Sequence, residues 1–176
     1  MHLKSKETIN RPLKEVYELV RDDLIKLVPY LPNVEKIEVK NRKVGKDNTL
    51  KVTNYWFAKA EIPTLVKKFI KPELLSWKDK AVWKDDAFEV HYELESFFAN
   101  DLFEAKGVNS FVAKGDNKTE FILNCEINIY PEKVPGVPKF LAKKVSPVIN
   151  TLVEKILGPN LTAMGKGINQ YFKTNS

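Results

Sequence analysis

The chain has one cysteine, Cys125, and two histidines, His2 and His91, in 176 residues. A lone thiol forms no internal disulfide, so nothing points to an oxidising compartment, and the cytoplasm is the expected location. No cluster of His, Cys or carboxylate residues has metal-ligand spacing, so neither a metal nor another cofactor is expected. The seven glycines are scattered through turns and the last helix, which excludes a glycine-rich phosphate loop. No apolar run approaches the ~18–20 residues of a membrane span. Residues 1–10 are polar and alternating, without the apolar core of a secretory signal. Arginine is scarce too, at Arg11, Arg21 and Arg42 only, so lysine supplies nearly all of the net charge of +6. Proteins that read nucleic acid favour arginine for bidentate contacts, so no nucleic-acid partner is expected. A lysine-rich surface suits solvent or an anionic membrane.

What is present is two periodicities. From Ser76 to Tyr130 apolar residues alternate with period two, as in strands with one buried face. From Val137 to Phe172 they recur at spacings of three and four (Leu141, Val145, Val148, Ile149, Leu152, Val153, Ile156, Leu161, Met164, Ile168, Tyr171), the stripe of a long helix. Pro147 and Pro159 should kink or divide it, because each lacks an amide proton and crowds the preceding turn. Ahead of these, a strand is expected over Leu3–Ile9. A helical stripe through Val16, Leu19, Val20, Leu24 and Leu27 follows, with a break near Asp22–Asp23 and an end at Pro29 and Pro32. Strands are expected over Val34–Val44 and Thr49–Phe57, joined by a turn at Gly45-Lys46-Asp47-Asn48. Four more should span Leu75–Trp83, Phe88–Phe98, Leu102–Ala113 and Lys118–Tyr130, with turns at Lys84-Asp85-Asp86, Asn100-Asp101 and Lys114–Asn117. The length suits one domain over residues 1–176, able to bury roughly 70% of its unfolded surface.

The segment TINRPLKEVYELVRDDLIKLVPYLPNVEKIEV (residues 8–39), a first strand, proline-led helix pair and "LP" turn, resembles the opening of the START-related, birch-pollen-allergen-like superfamily. Residues 61–96 (EIPTLVKKFIKPELLSWKDKAVWKDDAFEVHYELES) and the proline-rich run before the last helix resemble its polyketide-cyclase-like branches. The resemblance implies an α+β helix-grip fold: a curved antiparallel sheet of about seven strands wrapped around a long C-terminal helix, with two short helices after the first strand. It also implies a hydrophobic, lipid-like ligand between sheet and helix. Only some members are enzymes, and no short catalytic signature accompanies the resemblance.

The inward registers of the strands give the candidate ligand-binding residues: Asn54, Trp56, Trp77, Asp79, Trp83, Tyr92, Gly107, Asn109, Phe111, Leu123 and Cys125, with Leu152 and Ile156 from the terminal helix. Tryptophans facing the small residues Ala105 and Gly107 suggest a concavity with room in it. Ser5, Glu7 and Asn41 fall in the same registers, and each must find a partner, mark a solvated cavity, or be carried outward by a bulge. Asp79 could act as an acid or base, but it is alone. His91 shares the outer face with Glu89, Glu93 and Glu95, and Cys125 reads as a packing thiol. No catalytic set is assigned, so enzymatic activity is not the leading expectation.

Between residues 60 and 74, Ile62, Leu65, Val66, Phe69 and Ile70 share one helical face flanked by Lys67, Lys68 and Lys71. A short basic amphipathic helix suits transient contact with an anionic membrane through Ile62, Leu65, Lys67, Lys68 and Phe69. The simpler alternative is a helix closing the open end of the core. Three functions remain open. The first is a monomeric carrier or sensor of a hydrophobic small molecule. The second is a cyclase- or hydratase-type enzyme acting on a polyketide-like or aromatic substrate. The third is a protein-interaction module with a filled core.

Overall fold

A computed structural model describes residues 1–45, 47, 49–59, 61–71, 75–97 and 102–175. Strand β1 (His2–Ile9) is followed by helix α1 (Leu13–Asp22) and a 3-10 segment (Leu24–Tyr30). Six strands come next: β2 (Val34–Val44), β3 (Leu50–Ala58), β4 (Trp77–Lys84), β5 (Glu89–Ser96), β6 (Phe103–Ala113) and β7 (Thr119–Ile129). Helix α2 (Lys139–Thr174) closes the chain. The seven strands form one antiparallel sheet in the order β1-β7-β6-β5-β4-β3-β2, so β1 and β2 are its edges. This is the helix-grip arrangement, with α2 laid along the sheet face that carries the apolar registers. Phe98, Lys46, Asn48, Ala60, residues 72–74 and Asn100–Asp101, all used in the sequence reading, lie outside the described residues.

Local chemistry explains the element ends. Pro12 precedes α1 and its carbonyl accepts the Val16 amide, while the break at Asp23 falls where two successive aspartates meet. Pro29 is accommodated inside the 3-10 segment, and the chain leaves it at Leu31. Register shifts in β2 between Val34 and Lys36 and between Val39 and Asn41 swing the second half of that strand outward. The second bulge puts the Asn41 side chain in solvent. Phe88 belongs to the β4–β5 turn in a left-handed backbone conformation (φ 51°), not to the strand, yet its ring still packs edge-on to Tyr17.

Helix α2 runs undivided through both prolines. Pro159 has no amide to offer the Lys155 carbonyl, and Asn33 Nδ2 donates to that oxygen at 3.2 Å. The Asn33 amide in turn donates to Asn160 Oδ1 at 3.0 Å, and Asn160 Nδ2 donates to the Ile156 carbonyl at 2.8 Å. The loop before β2 is thereby stitched to the helix at the point where the helix loses its own bond. Gly158 adds no Cβ to crowd the Pro159 ring.

Residues 61–71 do not form the expected helix. They make successive turns, in which the Pro63 carbonyl accepts Val66 and Lys67 amides and the Val66 carbonyl accepts Phe69 and Ile70 amides. Pro63 and Pro72 bracket too few residues to outweigh helix nucleation. Val66 and Ile70 still reach the core.

At the far end of the sheet, Tyr17 stands edge-on to Trp83, Phe88 and Phe111, with centroids 5.1–5.3 Å away. Its hydroxyl donates to Asp85 at 2.8 Å, and Arg21 bridges Asp85 and Asp22. This aromatic plug ties α1 to β4, the β4–β5 turn and β6. The helix approaches β1 at Gly165, where a Cβ would lie 2.6 Å from Glu7 Cβ and 3.3 Å from the Phe121 ring. Gly165→Ala should therefore destabilise the protein by about 1–3 kcal/mol through overpacking, despite the better helix propensity of alanine. Urea unfolding of the variant checks this; an unchanged or raised midpoint would mean that α2 sits less tightly on β1 than described.

Candidate ligand-binding site

The antiparallel register aligns the inward side chains in rows across the sheet. Trp56 and Trp77 form one row with Ser96. Asn54, Asp79, Leu94, Ala105 and Ile127 form the next. Val52, Ala81, Tyr92, Gly107 and Cys125 follow. Leu50, Trp83, Val90, Asn109 and Leu123 come after them, and Phe111 pairs with Phe121 beside the plug. All three tryptophans are buried, so the sheet gathers them on one face. Trp56 and Trp77 stack at 5.5 Å with 18° between planes, whereas Trp83 joins the aromatic plug.

Asp79 is buried in this wall. Its Oδ2 accepts hydrogen bonds from Asn54 Nδ2 (3.2 Å) and Trp56 Nε1 (3.3 Å), while Oδ1 has no partner. Burial pushes its pKa up to about 6, with those two bonds pulling the other way. Because Oδ2 is held by two donors, the proton at low pH sits on Oδ1. Tyr92 lies flat over Gly107, where a Cβ would come within 2.3 Å of its ring and hydroxyl. Gly107 therefore supplies no open floor; the space it leaves is filled by its neighbour on β5. Burial also raises the pKa of the Tyr92 hydroxyl, and the nearby Cys125 thiol adds to the shift without offering a bond of good geometry. Burial likewise raises the Cys125 thiol, which fits a packing residue rather than a nucleophile.

Among the described residues, four buried polar atoms in the wall have no hydrogen-bond partner: Asp79 Oδ1, Trp83 Nε1, Tyr92 Oη and Asn109 Oδ1. They occupy three consecutive rows, roughly 13 Å from Asp79 to Trp83 along β4. Leaving such an atom unpaired costs about 1–3 kcal/mol, so four together on one wall are a poor solution for a purely structural core.

The remaining predicted residues separate by position. Leu152 and Ile156 are buried on α2 and, with Asn33, Ile62, Pro63 and Lys155, line a groove of about 540 Å³ at the rim. Ile62 and Phe69 pack partly on the core, whereas Leu65, Lys67 and Lys68 are exposed. Ser5 is half-buried on the edge strand, and Glu7 accepts a bond from Asn169 of α2 at 3.0 Å, outside any polar cluster. His91 lies on the convex face, in a groove of about 610 Å³ crossed by alternating lysines and glutamates and lined also by Tyr92 and Gly107. Sequence reasoning missed Asn33 and Asn160; an asparagine directly after Pro159 on an apolar helix face was the available signal. Among the described residues no group of three or more His, Cys, Asp or Glu could hold a metal ion, and no helix is long and apolar enough to cross a membrane.

No protein-family model and no curated relative matches the sequence. Solved structures do. Zhui aromatase/cyclase from Streptomyces sp. R1128 aligns with a TM-score of 0.69 at 13% identity, over 100% of this chain and 96% of that one. Norcoclaurine synthase from Thalictrum flavum gives 0.57 at 18% identity, over 98% and 86% of the two chains. A START superfamily protein from Mycobacterium smegmatis gives 0.55 at 12% identity, over 99% of each. At these identities the likeness is one of fold.

The Asp79 environment carries a pH signature. The folded pKa of about 6 lies above the unfolded value near 3.8, so the folded state binds the proton more tightly. The resulting stabilisation is fully present below about pH 4 and lost as pH rises through 6. Asp79→Asn keeps an acceptor for Asn54 and Trp56 but cannot ionise. Its stability relative to wild type should therefore climb between pH 4 and pH 7, by up to about 3 kcal/mol. Parallel stability–pH curves for the two proteins would contradict a buried, ionising Asp79.

Proposed function

Proceeding from a helix-grip fold shared with START-related and polyketide-cyclase-like proteins, we propose that the whole chain, residues 1–176, is one binding domain for a hydrophobic small molecule. The molecule would lie between the concave wall and α2 and carry hydrogen-bonding groups of its own. The four unpartnered polar atoms support this reading above all else. Two are acceptors, one is a donor and the Tyr92 hydroxyl is both, so a ligand with several oxygen or nitrogen functions satisfies them where an acyl chain, polar at one end only, does not. The stacked Trp56–Trp77 pair and the Leu152–Ile156 face of α2 supply apolar contact near the rim groove. The protein would act as a monomeric carrier or sensor. Transient contact of the 61–71 segment with an anionic membrane belongs to the same proposal.

One observation favours a second reading, a cyclase- or hydratase-type enzyme. A carboxyl group with a pKa near 6 and its proton confined to one free oxygen can take a proton from a bound substrate or return one near neutral pH. The unpartnered Tyr92 hydroxyl in the adjoining row could donate to a substrate oxygen as charge develops there. A turnover on aromatic or polyketide-like carbonyl compounds that Asp79→Asn removes would select the enzyme.

Native mass spectrometry of protein purified from its own cells should reveal a co-purifying small molecule, recoverable by organic extraction. A mutation pair sharpens the test. Tyr92→Phe deletes an unpaired hydroxyl and should stabilise the empty protein by about 1 kcal/mol, while weakening the extracted ligand about tenfold. A destabilised Tyr92→Phe protein would show the hydroxyl to be structural. Protein that neither carries nor takes up an apolar molecule would favour the filled interaction module.

A further inference from the structure

We propose that the first two turns of α2, together with the 61–71 segment, form a docking surface for anionic lipid bilayers. The interior reading is not needed for it, because the surface is built outside the sheet–helix space.

The topology brings the two segments to one end of the molecule. Val34, Ala58, Trp77, Ser96, Phe103 and Ile129 end their strands along the same border of the sheet. The β3–β4 connection, which contains residues 61–71, leaves from that border, and so does the link from β7 into α2. Helix α2 has 36 residues, about 54 Å, whereas the longest strands have 11, about 36 Å. The helix thus exceeds the wall it covers. Its first buried residue is Val145, one turn and more past the start at Lys139.

The side chains on this overhang are not those that a helix start selects. The first turn of a helix favours carboxylates, since the dipole is positive there. Helix α2 has no acidic residue in that turn and instead presents Lys139, Lys143 and Lys144. Phe140, 82% exposed, stands among them and is the most exposed large apolar side chain described. Across the border, residues 61–71 carry the exposed Lys67, Lys68 and Lys71 together with Leu65, which is 47% exposed. None of these six lysines lies within ion-pair distance of a carboxylate among the described residues. Lack of pairing alone does not set them apart, since Lys43, Lys84, Lys118, Lys155 and Lys166 also have no ion pair among the described residues; the neighbouring exposed Phe140 and Leu65 do.

Six lysines without a carboxylate partner among the described residues, on the same two segments as two exposed apolar side chains, complement a bilayer whose headgroups are anionic and whose acyl boundary accepts Phe and Leu. Nucleic acid would use the charge but not Phe140 or Leu65. Arg11, Arg21 and Arg42, better suited to phosphate, are absent from both segments. The sequence pattern alone pointed to residues 60–74; the structure makes the α2 overhang an equal part of the surface.

The test is co-sedimentation of the full chain with phosphatidylcholine vesicles, with and without phosphatidylglycerol. Binding should need phosphatidylglycerol and fall as salt rises. Each lysine near the surface adds about fivefold to partitioning, so reversing three as Lys139→Glu, Lys143→Glu and Lys144→Glu should lower it about a hundredfold. Phe140→Ala should lower it several-fold with an unchanged melting temperature, because that ring packs on nothing in the soluble state. Equal sedimentation with neutral vesicles, or a triple variant that binds as wild type does, would overturn the proposal. So would tight, salt-sensitive binding of duplex or single-stranded nucleic acid without vesicle binding.

Discussion

One constraint governs this molecule: a curved antiparallel sheet has a single apolar face, and one helix must cover it. An uncovered face would expose Trp, Leu, Ile and Phe side chains from every strand at roughly 25 cal/mol per Å². Everything at the sheet–helix contact serves that cover. Gly165 lets α2 come down onto Glu7 and Phe121. Asn33 and Asn160 restore the bonding that Pro159 removes, so the helix can carry a proline at mid-length without dividing. Toward the C-terminal end of α2, Tyr171 meets both Phe172 and Tyr30 of the 3-10 segment edge-on.

On the covered face, two regions differ in how well their polar atoms are paired. The plug built on Tyr17, Trp83, Phe88 and Phe111 is packed as cores usually are, and its hydroxyl is satisfied by Asp85. From the Trp83–Asn109 row toward the rim the wall changes character, and the Trp83 indole N–H is itself unpaired. Asp79 is only half-satisfied, and Tyr92 and Asn109 hold oxygens that the protein does not pair. Such local conflict concentrates at sites where function, not the fold, determines residue choice.

Much of this was legible in the sequence because the two periodicities differ so plainly. Strand limits for β2 match the alternation, and the break in the first helical stripe falls at Asp22–Asp23 as expected. What was not legible depended on distance or on three-dimensional register. Asn33 and Asn160 are 127 positions apart, and no local pattern pairs them. Gly107 beside Ala105 reads as open space until the β5–β6 register sets Tyr92 over it. Asn41 alternates correctly on paper, but one extra residue in the strand turns it outward. Over residues 61–71 the apolar spacing suits a helix, but the short stretch between Pro63 and Pro72 makes successive turns instead.

The sheet does not close on itself, and its two free borders shape how the protein can meet others of its kind. An unpaired strand edge is a template that any extended chain can join. Here β2 is interrupted twice by bulges, and from Glu35 to Lys43 it carries charges of both signs, with Lys36 and Lys40 clasping Glu38. A second β2 laid alongside would find its ladder broken after a few residues and its lysines facing lysines. On the opposite border, β1 places Lys4 and Lys6 outward. The bulges that spoil the alternation of β2 thus also make that open border a poor template for edge-to-edge pairing.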